Sequence, residues 1–318
     1  MRMTYTRDTD LLVRMARLHY EDNLSQREIA KQLQISVSSV SRALKQARDQ
    51  GIVEIRIHDP GSRIASLEAS LKKRYGLEAA VVVASASSEE ATRASLGRAV
   101  ADFVGTFIHK DSIIGVSDGM TVAAVATSLR APQPLNVQVV PLVGGVGMPD
   151  MYTHPIEVAS TVARNLGGIT RQLNAPAIVQ DAIIRVALLS NPVVSSVFQL
   201  IEQCDVAIVG VGAVTEETAM VRNGVMTPLE IEQARMLGAV GAICARFYDA
   251  EGMPIHSDLD DRTVSASIDQ LRRIQHTIAV AIGTSKTAAI RAALRGKIVR
   301  ALGTDQTTAA DILMSTPT

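Results

Sequence analysis

The sequence predicts an α/β protein with a small helical unit at its N-terminus, and three observations carry that expectation. From Glu78 onward, short aliphatic runs (AAVVVA, SIIGV, VQVVPLV, DVAIVGVG, TIAVAIG and IVRALG), most ending in Gly, alternate with segments of helical period. Strands apolar on both faces and separated by helices imply a mainly parallel sheet covered on both sides. The composition agrees, at 47% hydrophobic but only 3% aromatic with no Trp, so the core is aliphatic rather than that of a β-sandwich. Residues 1–58 have a different texture, and they hold ten Lys/Arg against seven Asp/Glu, a net +3 in a chain whose total is +0. The basic excess is modest, and it falls where a nucleic-acid contact would be expected.

Taken in order, residues 10–20 place Leu11, Leu12, Met15, Leu18 and His19 at helical spacing, with Asp8, Thr9 or Asp10 available as a cap. Residues 25–51 read as two short helices joined by a tight turn. Ser25 caps the first, and Glu28 three residues on completes a capping box. Ile29, Ala30 and Leu33 face one way, and small Ala30 suits a close helix crossing. Gln34 stands where such turns favour Gly, because the backbone there is left-handed, at a cost of roughly 1–2 kcal/mol. Ser36 caps the second helix, whose Val40 and Leu44 return to the same core. Its other face carries Ser38, Ser39, Ser41, Arg42, Lys45 and Arg48, short hydroxyls early and cations later, as a recognition helix needs. The expected DNA-facing set is Ser25, Gln26, Arg27, Ser36, Ser38, Ser39, Ser41, Arg42 and Lys45. An ordinary surface hairpin is the competing reading. Ile52–His58 alternate like a half-buried strand, which completes the order of a winged helix.

Pro60-Gly61 interrupts the chain, and a helix over RIASLEASLKKRYG follows, with Ile64, Leu67, Leu71 and Tyr75 on one stripe. The resulting division is a DNA-binding domain at 1–58, a linker helix at 59–77 and an effector-binding domain at 78–318. Further helices are expected at 88–109, 120–130, 155–166, 179–189, 193–203, 228–237, 286–295 and 306–314.

In parallel sheets, ligands sit beyond the carboxyl ends of the strands, on loops entering helices. Four loops have that form: 115–121 (GVSDGMT), 144–147 (GGVG), 210–215 (GVGAVT) and 283–286 (GTSK). Glycine lets backbone N–H groups approach an anion, and Ser or Thr adds hydroxyl donors. None is a nucleotide motif, since Gly210-Val-Gly212 lacks the third Gly and no loop contains G-K-[ST]. Lys286 opposes the positive terminus of the helix it begins, a penalty that a bound anion would reverse. Asp249 in FYDAEG reads either as a turn residue or as an acceptor for sugar hydroxyls. Asp305 reads either as a cap or as another acceptor, and Arg222 is a candidate second phosphate contact.

Several classes are disfavoured. No apolar run reaches 18 residues, and MRMTYTRDTD is too polar for a signal peptide, so a cytoplasmic location without a membrane partner is expected. Cys204 and Cys244 read as buried reduced thiols. The six histidines form no ligand cluster, so neither a metal nor a cofactor is expected. No nucleophile elbow or acid–base pair is evident, so no catalytic residue is assigned.

With these residues in view, the chain resembles the SorC family of bacterial sugar-responsive transcriptional regulators along nearly its whole length. The matching pieces are YEDNLSQREIAKQLQISVSSVSRALKQARDQGIVEIRI, GVSDGMT, VVPLVGGVG, DVAIVGVGAV, GAVGAICARFYDAEG and IAVAIGTSKTAAIRAALRGKIVRALGTDQTTA. The resemblance implies a winged helix-turn-helix joined to an effector domain similar to sugar-phosphate isomerases and CoA transferases. It also implies tetramers or dimers on operator DNA, with a phosphorylated sugar or related molecule altering affinity. The effector set is then Ser117, Gly119, Thr121, Gly144, Gly145, Arg222, Asp249 and Lys286. Ala242 stands where the family usually has an acid, and Thr284 where a second Gly is common. The alternative function is a sugar-phosphate isomerase-like enzyme with an accessory DNA-binding domain.

Overall fold

The computed structural model describes residues 3–22, 24–53, 63–146 and 153–314, with backbone only at 3–9 and 219. The chain divides into two compact units, Met1–Pro60 and Gly61–Thr318.

The described residues of the first unit form three helices, α1 (Met3–Tyr20), α2 (Gln26–Leu33) and α3 (Val37–Asp49). They close on a core of Leu12, Met15, Ala16, Ile29, Ala30, Val40, Ala43, Leu44 and Ala47. Helix α1 begins a full two turns before the apolar stripe that announces it, because a helix can extend beyond the face it buries. The Ser25 capping box is formed, with the Ser25 N–H donating to Glu28 Oε2 at 2.8 Å and the Glu28 N–H to Ser25 Oγ at 3.3 Å. Gln34 is left-handed at φ +55°. The expected strand over 52–58 lies, apart from Ile52 and Val53, outside the described residues.

The second unit is built on seven parallel strands in the order β1-β10-β9-β5-β2-β3-β4. They are β1 (Ala79–Val83), β2 (Ile113–Val116), β3 (Gln138–Pro141), β4 (Ile169–Thr170), β5 (Val206–Gly210), β9 (His276–Val280) and β10 (Ala301–Asp305). A small antiparallel sheet, β6 (Gly212–Ala213), β7 (Gly241–Ile243) and β8 (Arg246–Tyr248), stands apart from it. One face of the large sheet is covered by α5 (Glu89–Gly105), α6 (Met120–Ser128) and α7 (Pro155–Leu166), which supply Leu96, Val100, Val104, Val122, Val125, Val158 and Val162. The other core receives α4 (Ala65–Tyr75), α9 (Pro192–Ile201), α11 (Pro228–Met236), α13 (Ile268–Arg273), α14 (Thr287–Arg295) and α15 (Gln306–Met314). Three short helices complete the unit: α8 (Ala182–Ser190), α10 (Ala219–Arg222) and α12 (Asp258–Arg262).

Burial on both faces explains why the aliphatic runs were readable as strands. The helices expected at 88–109 and 120–130 stop at Gly105 and Ser128, that at 179–189 starts only at Ala182, and that at 193–203 runs from Pro192 to Ile201; two strands depart as well. In IVRALG the strand starts only at Ala301, and Ile298 and Val299 are buried in the connection before it. Strand β4 has two residues, too few to show any period.

All strands of the large sheet point one way, so the loops 117–119, 142–146, 281–286 and the start of α15 gather at one edge. Close approach across the faces depends on missing side chains. A Cβ on Gly97 would sit 2.6 Å from the Ala124 carbonyl oxygen, where α5 crosses α6.

The β7–β8 hairpin turns at Cys244-Ala245, with Ile243 paired to Arg246 and φ of +51° and +60° at the two turn residues. A two-residue turn with both residues left-handed normally uses Asn-Gly, so Ala245 carries strain of roughly 1–2 kcal/mol. Ala245→Gly should therefore stabilise the protein by about 0.5–1 kcal/mol in urea unfolding, despite loss of a buried methyl. A destabilised variant would show that the turn is not strained.

Candidate nucleic-acid interface and ligand cleft

Helix α3 presents the expected polar face. Ser36, Ser38, Ser41, Arg42, Lys45 and Arg48 are exposed, and Ser39 is half-buried. Ser36 Oγ accepts from the Ser39 N–H at 3.1 Å and lies 2.8 Å from both Ser38 Oγ and Ser39 Oγ, so three hydroxyls cluster at the helix start. Arg42 Nε donates to the Ser38 carbonyl at 3.3 Å, which lays the guanidinium along the helix. At the start of α2, Ser25 and Arg27 are exposed, whereas Gln26 is half-buried. Serines at an N-terminal cap and cations one and two turns later follow directly from the sequence order, and the geometry suits hydroxyl contacts to base edges or phosphates beside Arg and Lys contacts.

At the strand ends of the second unit, one carboxylate organises the loops. Asp305 Oδ2 accepts from Ser85 Oγ at 3.0 Å, the Thr307 N–H at 3.1 Å and the Thr308 N–H at 3.3 Å. Its Oδ1 accepts from the Thr308 hydroxyl and, at 3.4 Å, from the Gly283 N–H. Burial by itself would raise this carboxyl, but the Thr308 and Ser85 hydroxyls and the Thr308 and Gly283 N–H groups hold it below the usual carboxylate range. Asp305 is thus both the cap of α15 and the anchor of the loop that carries Lys286.

Lys286 closes a 3-10 turn, Thr284–Lys286, immediately before α14, with Gly283 at φ +100°. Its ammonium is half-buried and makes no hydrogen bond or ion pair with any described residue. Burial pulls its pKa below the ordinary lysine value, Glu89 opposes that shift and Arg93 reinforces it. Arg93 is paired with Glu89, and its Nε is buried without a partner, as is the Thr287 hydroxyl beside Lys286. The strand-end segment at β6 lies against the same turn. The Lys286 ammonium, unpaired among the described residues at the start of α14, is a place where an anion gains a charged partner that the protein leaves open.

The other expected contacts sort unevenly. Ser117 is buried, and its hydroxyl accepts from the Gly210 N–H at 3.0 Å and donates to the Asp118 carbonyl at 3.0 Å. It braces the β2 and β5 loops. Gly119, at φ +111°, begins α6, and Thr121 is buried in the first turn of that helix. The Gly144 and Gly145 N–H groups donate to the Val264 and Ala175 carbonyls at 3.0 and 2.8 Å, so neither amide is open to an anion. A Cβ on Gly144 would meet the Pro176 carbonyl oxygen at 2.5 Å, which is why glycine stands there.

Arg222 is exposed and donates to the Glu217 carbonyl at 2.7 Å, without reaching Lys286. Asp249 Oδ1 accepts from the Glu251 and Met253 N–H groups at 2.9 and 2.8 Å, the pattern of a turn residue. That turn packs through Gly252 on Gly296 at the far end of α14, about 13 Å of helix from Lys286. The structure therefore gives Asp249 the turn role and separates it from the cation.

Two groups escaped the sequence reading. Asp118, in the GVSDGMT loop, is half-buried, and burial pushes its carboxyl up to about 6, partly offset by its own backbone N–H. Burial raises the Cys244 thiol, and the Asp118 charge adds to that shift. His154 caps α7, and its Nε2 lies 3.3 Å from where a Gly145 Cβ would be. An Asp between Ser and Gly was the only signal for the first, and none existed for the second. Cys204 and Cys244 are both free and buried. Among the described residues, no group of three or more His, Cys, Asp or Glu comes together as a metal cage, and no single helix is long and apolar enough to cross a membrane.

Because Asp118 titrates higher in the folded chain than in the unfolded one, its charge costs stability fully above pH 6, and that cost disappears as pH falls toward 4. Asp118→Asn should accordingly gain up to about 3 kcal/mol at pH 8 and nothing at pH 4 in urea titrations. A pH-independent effect would mean that the carboxylate is not desolvated.

Comparison with known proteins follows the same division. Residues 59–314 match the family described as "Putative sugar-binding domain", and residues 17–50 match "Sigma-70, region 4". The deoxyribonucleoside regulator of Bacillus subtilis is 33% identical over 301 residues, covering 94% of this chain and 96% of that protein. The sorbitol operon regulator of Klebsiella pneumoniae is 30% identical over 305 residues, covering 95% and 97%. The crystal structure of full-length SorC from Klebsiella pneumoniae superposes with a TM-score of 0.77 at 29% identity, covering 96% of this chain and 99% of that one.

Proposed function

The chain belongs to the SorC family of sugar-binding transcriptional regulators, and on that premise we propose that α3 reads operator DNA while the cleft at Lys286 binds a phosphorylated sugar or related small carbohydrate that alters operator affinity. The chain is a transcriptional regulator and not an enzyme, since its relatives are regulators with the same sugar-binding domain. The observation that carries the effector reading is the unpaired, half-buried Lys286 ammonium beside the orphaned Thr287 hydroxyl. A phosphate ester supplies the missing countercharge and acceptors at one stroke.

Relatives named for sorbitol, a deoxyribonucleoside and erythritol support a polyhydroxylated ligand, and leave its identity to experiment. Residues 1–58 would bind DNA, 59–77 would link, and 78–318 would hold the effector, in a cytoplasmic homo-oligomer, a dimer or tetramer. Two-fold symmetry would then match a palindromic operator. A net +3 per DNA-binding unit is small, so affinity would depend on several copies acting together. The coupling is a population shift: effector and operator favour different arrangements of the assembly.

Arg42→Ala should weaken operator binding by at least tenfold in fluorescence anisotropy while leaving thermal stability unchanged. Normal operator binding would remove α3 from the interface. In thermal-shift screens of the wild type against sugars and their phosphates, the effector should raise Tm, and Lys286→Ala should abolish that rise without affecting DNA binding. An undiminished rise in the variant would move the phosphate site elsewhere.

A further inference from the structure

Helix α8 and the bend after it are an anomaly in the second unit. The helix AIIRVALLS holds no buried residue, although its composition is that of a core helix. Ile183, Val186, Ala187 and Ser190 fall at i, i+3, i+4 and i+7, one stripe of the helix, and Ile184 flanks it. Ile183, Ile184 and Val186 are 76%, 43% and 58% exposed, roughly 300 Å² of apolar surface, over a third of the 800 Å² or so that one partner buries in a standard interface. Across an 84° bend, the first turn of α9 carries Val193, 59% exposed, at the rim of a shallow groove with Thr170, Ser196 and Leu200.

Charge decides what this face fits. Residues 172–201 contain two charged side chains, Asp181 and Arg185. Both are engaged within the chain: Asp181 caps α8 by accepting from the Ile183 N–H at 2.6 Å, and Arg185 Nε donates to the Thr263 carbonyl at 2.8 Å. The stripe therefore offers no charge for a foreign surface to match, and nothing that repels its own image. An isologous contact brings identical patches together, so an apolar, charge-free patch is its own complement. The exposed Leu229 and Met236 of α11 differ, because Glu230, Glu232 and Arg235 stand between them.

We propose that the α8 face, Ile183, Ile184 and Val186, with Val193 at its margin, is where two copies of this chain meet around a two-fold axis. The inference goes beyond the proposed function and rests on it only in taking the assembled form as the DNA-binding species.

Sedimentation velocity of the full chain at micromolar concentration tests it. The wild type should sediment at twice the chain mass or more. Ile183→Glu with Val186→Glu should drop to the next smaller species, weakening the association at least 100-fold, with an unchanged far-UV circular dichroism spectrum. If the Glu pair unfolds α8, Ile183→Gln with Val186→Gln, both helix-forming, gives the same readout. Met236→Glu, equally exposed on α11, should leave the mass unaltered. A monomeric wild type would overturn both the inference and the oligomeric part of the proposed function. An oligomer that survives the α8 changes, or one that Met236→Glu alone dissolves, would overturn the inference and leave that function standing.

Discussion

The Asp305 carboxylate is the constraint on which the cleft depends. It sits at the end of β10, between the segment leaving β1 and the loop leaving β9, and binds both through Ser85 and Gly283. The same Gly283 N–H also donates to the Thr308 hydroxyl oxygen at 2.9 Å, so two acceptors share the one donor that ties the loop down. A carboxylate that accepts this many donors is stabilised in its charged form and resists movement. Gly283 can then take the left-handed conformation that turns the chain into α14, and Lys286 is delivered to the strand ends with no partner of its own.

The parallel sheet supplies the rest of that arrangement. Strands that all point one way bring their carboxyl ends to one edge, and the glycines at those ends let loops pack closely. Close packing uses up most of the polar groups it brings together. Ser117, Gly144 and Gly145 hold loops to one another, and Asp249 holds a turn. Among the described residues the Lys286 ammonium has no hydrogen-bond or ion-pair partner, and the buried Thr287 and Thr304 hydroxyls and the Arg93 and Arg291 Nε atoms have none either. Framework and ligand surface are distinguished by which groups the fold leaves unsatisfied.

That distinction also explains what could be read from the sequence. The helix-turn-helix was legible in detail, since caps, turn and stripe are local: Ser25, Gln34, Ser36 and Val40 each act on neighbours within a few residues. The buried strands were legible from continuous aliphatic runs, and Pro155–Leu166 and Gln306–Met314 match the expected helices residue for residue. Lys286 stood out because a cation at a helix start is unusual. The packing of Gly144 and Ser117 was not legible, because it depends on Val264 and Gly210, residues 120 and 93 positions away. Asp118 was hidden for the same reason: its desolvation comes from packing, which a loop motif does not encode.

The proposed coupling is that a phosphorylated small molecule bound at Lys286 changes how tightly the chain holds DNA. Operator affinity of the wild-type chain, titrated in parallel with free polyhydroxylated sugars and with their phosphate esters, tests that claim most directly. A phosphate ester should shift affinity at least fivefold, while its dephosphorylated partner at equal concentration should not. Equal action by the free sugar, or an operator affinity that no carbohydrate of either form alters, would contradict it.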